Sequence, residues 1–155
     1  MKKPKFLYHG SSKKVNVLIP RQADDWKYEH GRNFGVYATS NRDVALAFAL
    51  GAVPDKKGTC HRIIRGKKHK PLKMVFVRGH PKFGGKGYLY KLLSKGFHHV
   101  GGNQWVSESQ VKPIDIIEIN VDDYLHLFRY AIKQEKIEIE REFKQILKKY
   151  QKGKL

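Results

Sequence analysis

Thiol chemistry is almost absent. Cys60 is the one cysteine, so no internal disulfide can form and a zinc site built on thiolates is excluded. Long apolar runs are missing too. None approaches the roughly 18 residues that would span a bilayer, and the start MKKPKFLYHG lacks the apolar stretch of a secretory signal, so a cytoplasmic chain without a membrane partner is expected. Acid is scarce: 14 Asp and Glu stand against 32 Lys and Arg, and residues 56–107 contain no acid at all. Three common site patterns are also lacking, namely a GxxxxGK phosphate loop, a GxGxxG turn after a strand, and HExxH. With them go P-loop, dinucleotide-fold and zincin chemistry, and no metal site is expected.

What is present is enough apolar matter for a core, 40% of 155 residues, which fits one domain over residues 1–155. The formal charge is +18, and residues 56–107 carry 13 Lys or Arg and five His. Such a stretch predicts a continuous cationic face that concentrates phosphates, whether of a nucleic acid or a dinucleotide. An equally simple reading is a lysine-rich, merely soluble surface. With 24 Lys against 8 Arg, nonspecific attraction is favoured over base readout, which rests on forked guanidinium groups. The glycine turn KFGGKG offers backbone donors to a phosphate, although such turns are usually only turns.

Strands are predicted at residues 5–9 and Phe34–Thr39, followed by a helix over residues 41–50 introduced by a Ser40/Asp43 capping box. Residues 20–32 read as a surface loop or short helix. CHRII, LKMVFV, GYLYKLL, QWVS and IDIIEI read as further strands, while His98 and His99 read as loop residues. From Asp122 onward, Leu125, Phe128, Ile132, Ile139, Phe143 and Ile146 recur at helical spacing, predicting one long amphipathic helix and basic tail over residues 121–155, supported by a Glu140–Lys144 pair. Strands and helices do not strictly alternate, so the class is α+β.

Four segments carry more than structure: Leu7-Tyr8-His9-Gly10-Ser11, Gly35-Val36-Tyr37-Ala38-Thr39, Ala45-Leu46-Ala47-Phe48-Ala49 and Gln104-Trp105-Val106-Ser107. In this order they resemble the ADP-ribosyltransferase superfamily, in the branch shared by diphtheria-toxin-like enzymes and poly(ADP-ribose) polymerases. Tyr37 and Phe48 stand 11 positions apart, the family's spacing, with Phe in place of the usual second Tyr. The resemblance runs from Phe6 to about Val121. It implies a split mixed β-sheet core with a short helix after the second strand, NAD as co-substrate, and a mono-ADP-ribosyltransferase of bacterial or phage type acting on a protein or nucleic-acid acceptor. By the same resemblance, His9, Tyr37 and Gln104 form the central triad. His9 would meet a ribose hydroxyl of the adenosine half, Gly10 the nicotinamide amide through its backbone, and Ser11 the ribose, with Ala38, Thr39 and Phe48 completing the NAD site.

Physical chemistry fits these residue types. Tyr37 and Phe48 can cover the two faces of a flat cationic nicotinamide. Cleavage of its glycosidic bond develops a cationic ribose that a carboxylate would stabilise. The family places Glu there, whereas this chain has Gln104, which can accept a hydrogen bond but brings no charge. Glu108 follows on the same side of a regular strand, roughly 13 Å further on, and Asp24, Asp25 and Glu29 lie in the loop. Sequence leaves open which of these, if any, supplies the acid. Without an activating charge, a single transfer is favoured over chain extension. The alternative is a catalytically inactive module of the same fold that binds NAD-like ligands or nucleic acid through its basic surface.

Overall fold

A computed structural model describes residues 2–22, 33–65 and 72–154. Strand β1 (Phe6–Ser11) pairs antiparallel along its whole length with β6 (Lys86–Leu93), from Phe6 opposite Leu93 to Ser11 opposite Tyr88. On its other side β1 meets β3 (Phe34–Thr39) at one position only, Tyr8 opposite Thr39. The two strands therefore share little ladder. β3 continues outward to β8 (Gln104–Ser107) and then β7 (His98–Gly101), while β6 continues to β9 (Asp115–Asn120), giving the order β7-β8-β3-β1-β6-β9. A two-residue strand, β2 (Arg21–Gln22), also pairs with β3.

A second, three-stranded sheet is ordered β10-β5-β4, from β4 (His61–Arg65), β5 (Lys73–Arg78) and β10 (Phe128–Tyr130). Pairing is antiparallel throughout except between β10 and β5. The protein is thus α+β with mostly antiparallel sheets, the class read from the strand-rich middle of the chain.

Helix α1 (Arg42–Leu50) follows β3 directly. Its N-cap is Asn41, whose side-chain oxygen accepts from the Asp43 amide at 3.0 Å, and not Ser40 as the capping-box pattern suggested. Ser40 instead donates its backbone N–H to the Asn103 carbonyl, tying the end of β3 to the β7–β8 turn. Ala45, Leu46, Ala47, Ala49 and Leu50 are buried. The helix lies unusually close to the sheet because two glycines lie beneath it. A Cβ on Gly10 would overlap the Ala45 carbonyl oxygen and stand 2.6 Å from the Ala49 amide nitrogen, and one on Gly87 would overlap the Ala49 carbonyl oxygen.

The long helix expected from Asp122 begins eleven residues later. Val121–Leu127 is a 3₁₀ segment, β10 follows, and only then does α2 (Lys133–Lys154) start. Parallel pairing of Phe128, Arg129 and Tyr130 with Met74, Val75 and Phe76 takes these residues out of the helix. Glu135 makes the new boundary by accepting the Ile132 amide at 3.1 Å and both guanidinium nitrogens of Arg129 at 2.7 and 2.8 Å. Those bonds hold its carboxyl at about 2, with the Arg129 contact the largest cause. Glu140, expected to face Lys144, pairs with Arg78 on β5 at 2.9 Å, and Ile139 packs with Val75 and Val77.

Two further expectations change. His98 and His99 lie in strand β7, not in a loop. The acid-free run does not map to one strip: it supplies β4 and β5 of the small sheet, β6 in the interior of the large one, and β7 and β8 at its far edge. Within it, Arg78 faces Glu140 and Lys86 faces Glu118 at 3.5 Å, so acids from elsewhere in the chain offset part of the charge. In the KFGGKG turn the Gly84 amide already donates to Asp122 Oδ1 at 2.9 Å, so the chain's own carboxylate takes that donor.

Seating of α1 on glycine generates a stability prediction. Gly10→Ala and Gly87→Ala each force the helix off the sheet, and overpacking of this kind costs about 1–3 kcal/mol. Urea midpoints should fall by the corresponding amount in both variants. Unchanged midpoints would mean that the helix is not seated on those residues.

Candidate functional site

Where β1 and β3 part beyond Tyr8 and Thr39, α1 roofs a cavity of about 250 Å³. That is close to the lower bound of small-molecule pockets, roughly 300 Å³, and suits one ring-sized portion of a ligand. β1 contributes Tyr8, His9 and Gly10; β3 contributes Tyr37, Ala38 and Thr39; α1 contributes Val44, Ala45 and Phe48; β8 contributes Gln104. Gln104 arrives there because it pairs opposite Thr39 in the β3–β8 ladder. Most of the residues marked in the sequence therefore meet at one opening. Ser11 lines a neighbouring cavity instead, which also reaches His9 and Tyr37.

Glu108 stands apart from both. β8 ends at Ser107, so the regular strand that would have placed Glu108 on the Gln104 side stops before reaching it, and its side chain is exposed. Asp24, Asp25 and Glu29 lie outside the described residues. Trp105, a core residue by sequence, is buried against Leu7, Val36 and Phe97. No three His, Cys, Asp or Glu side chains converge as metal ligands among the described residues.

His9 closes the gap between the parted strands. Its Nδ1 lies 2.6 Å from the Tyr37 carbonyl oxygen. A carbonyl only accepts, so Nδ1 carries the hydrogen and Nε2 of the neutral ring keeps a free lone pair. Burial is the main influence on the ring and drives its pKa below 6.5; the bond to Tyr37 opposes this, and the positive charge of Arg21 adds to the lowering. The imidazole is therefore a neutral acceptor at pH 7. Its ring also meets Tyr90 edge-on, with centroids 5.9 Å apart.

Tyr37 is braced at both ends, through its carbonyl by His9 and through its hydroxyl, which accepts the Asn33 amide at 2.9 Å. Phe48 leaves about half of its surface exposed at the rim, 48%. Beneath Phe48, Arg62 of β4 donates through Nη1 to the carbonyls of Ala47 and Gly51 at 2.8 and 3.0 Å, capping the end of α1, and its guanidinium lies 6.0 Å from the Phe48 ring centre. Sequence offered no sign of this role for Arg62. Val44 was also missed, and Tyr8 and Ala45 lay within the marked segments without being assigned to the site, although a small Ala45 facing Gly10 is what close helix packing requires.

Two features give the cavity its character. Among the described residues no lining side chain is acidic or a permanent cation. Gln104 Oε1 is buried and has no hydrogen-bond partner, a state that costs about 1–3 kcal/mol unless something donates to it. The pocket is aromatic-walled and borders His9, an acceptor at Nε2, while Gln104 Oε1 lies beneath its surface, out of contact with solvent. Such a lining suits a flat group with apolar faces and N–H or O–H donors at its edge. Compared with protein-family models, curated proteins and solved structures, the chain matches none.

The depressed pKa of His9 fixes a pH dependence. An unfolded chain takes up this proton near pH 6.5, before the folded protein does, so the stability contributed by neutral His9 is complete above about pH 6.5 and is lost as pH falls through its lower folded value. Urea midpoints should consequently fall less steeply below pH 6.5 in His9→Gln than in the parent. Identical slopes would show that His9 is not held neutral in the fold.

Proposed function

We propose that the chain is a mono-ADP-ribosyltransferase that cleaves NAD and moves ADP-ribose to a macromolecular acceptor, protein or nucleic acid, in the cytoplasm. One observation carries the reading: His9, Gly10, Tyr37, Phe48 and Gln104, widely separated in sequence, line a single cavity where β1 and β3 part. Opening of the sheet after one shared position supports a split-sheet core of the ADP-ribosyltransferase type.

In this reading, nicotinamide lies between Tyr37 and Phe48 and its carboxamide meets the Gly10 backbone. His9 Nε2 accepts from a ribose hydroxyl, which requires the neutral ring that burial favours. The glycosidic C–N bond breaks with its electron pair leaving on nicotinamide. An acceptor nucleophile then forms the new bond to the ribose carbon and releases its proton to solvent. Rotation of the Gln104 side chain brings Oε1, buried in the free protein, out to accept from a ribose hydroxyl close to the developing positive charge. Lacking negative charge, it favours the transition state less than a carboxylate would.

A second reading, a module that binds NAD-like ligands or nucleic acid without turnover, draws support from the absence of any carboxylate among the described lining residues. Nicotinamide release from NAD separates the two. Gln104→Glu should raise it about tenfold, corresponding to about 1.4 kcal/mol of added transition-state stabilisation. Tyr37→Ala should weaken NAD binding by about 1 kcal/mol, an ordinary stacking contribution. If the parent, Gln104→Glu and His9→Ala all release nicotinamide only at the solvent rate, the enzyme reading is wrong and the binding module takes its place.

A further inference from the structure

A second cavity, of about 260 Å³, adjoins the first at His9 and Tyr37, which line both. Its walls include apolar Val17, Leu18 and Val36, but it also holds Lys13 and Arg21, with Ser11 beside His9. No acid lines it. Neither cation has a carboxylate partner among the described residues, where the ion pairs involve Arg78, Lys86 and Arg129.

Both cations stand on anchored backbone. The Lys13 carbonyl accepts the Tyr90 hydroxyl at 2.8 Å, while the Lys13 amide donates to Ser11 Oγ at 3.1 Å. Tyr90 also accepts the Val15 amide at 2.8 Å, pinning the loop that carries Lys13 to a buried side chain of β6. Arg21 lies in β2, paired opposite Gly35 of β3, and a bridge between Leu18 and Val111 fixes the intervening chain. The positive charge of Arg21 is felt at His9, where it helps lower the imidazole pKa. Two exposed cations that line one cavity and have no carboxylate partner among the described residues offer an anion two positive partners.

We propose that this cavity is a phosphate subsite in which Lys13 and Arg21 hold a phosphate monoester carried on a ribose, so that the chain prefers the ribose-phosphorylated dinucleotide NADP to NAD. The inference rests on the nucleotide reading of the first cavity, which places a ribose hydroxyl at His9. A phosphate on that ribose would extend from the wall the two cavities share at His9 into the one that Lys13 and Arg21 line. A monoester also suits the pair better than the dinucleotide's diphosphate does: it concentrates up to two charges on three oxygens of one phosphorus, whereas the diphosphate spreads one on each. Ser11 adds a hydroxyl within the same wall.

Calorimetric titration with NAD and with NADP at low ionic strength tests this. NADP should bind at least about tenfold more tightly, and the ratio should shrink as salt rises, since both cations are exposed and subject to screening. In the double variant Lys13→Gln, Arg21→Gln the ratio should fall to near one with an unchanged urea midpoint, because neither side chain belongs to the core. If NAD binds the parent as tightly as NADP, or more tightly, the phosphate subsite is refuted while the nucleotide reading stands. If the ratio survives in the double variant, other residues hold the phosphate and the assignment to Lys13 and Arg21 is wrong. If neither dinucleotide binds, the nucleotide reading fails and this inference fails with it.

Discussion

The candidate site depends on one hydrogen bond, from His9 Nδ1 to the Tyr37 carbonyl oxygen. Adjacent strands normally satisfy their carbonyls by ladder pairing, but β1 and β3 part after Tyr8 and Thr39 and leave Tyr37 needing a donor. The imidazole supplies it. In doing so it fixes its own tautomer, turns Nε2 into an acceptor, and becomes the wall shared by two cavities. Gly10, the next residue, lets α1 descend close enough to roof the first cavity. Structure and candidate chemistry thus originate in the same dipeptide.

Charge is distributed in a way that total composition conceals. A chain of formal charge +18 has a pocket whose described lining residues carry no permanent charge, while Lys13 and Arg21 line the adjoining cavity. A neutral aromatic pocket tolerates a cationic ring better than a basic one would, and the adjoining basic cavity suits an anion. That division matches a ligand cationic at one end and anionic further along. It also explains why the sequence-level reading of one continuous basic face was too simple: β-sheet order separates residues that are neighbours in the chain, and Glu118 and Glu140 approach Lys86 and Arg78 from elsewhere.

Local signals were legible in the sequence and non-local ones were not. Phe34–Thr39 reads as a strand because aromatic and β-branched residues end in a turn, and α1 reads as a helix because its apolar positions recur regularly up to Gly51. Leu125, Phe128 and Ile132 also recur at helical intervals, yet Phe128 belongs to β10, since pairing with Met74 of β5 overrides a period that three residues cannot establish. β7 escaped notice because His98 and His99 lack apolar alternation and gain their conformation from β8. Within the site, His9, Tyr37 and Gln104 were visible through motif order. Lys13, Arg21 and Arg62 were not, because their places are set by distant partners such as Tyr90, Gly35 and the end of α1.

The central claim is that the cavity at the parting of β1 and β3 binds a nicotinamide dinucleotide, and an amide NMR titration with NAD addresses it most directly. Shifts should concentrate at Tyr8, His9 and Gly10, at Tyr37, Ala38 and Thr39, at Val44, Ala45 and Phe48, and at Gln104, the four short segments that line the cavity. Shifts confined to the basic end of α2, or absent from those segments at saturating NAD, would contradict the account.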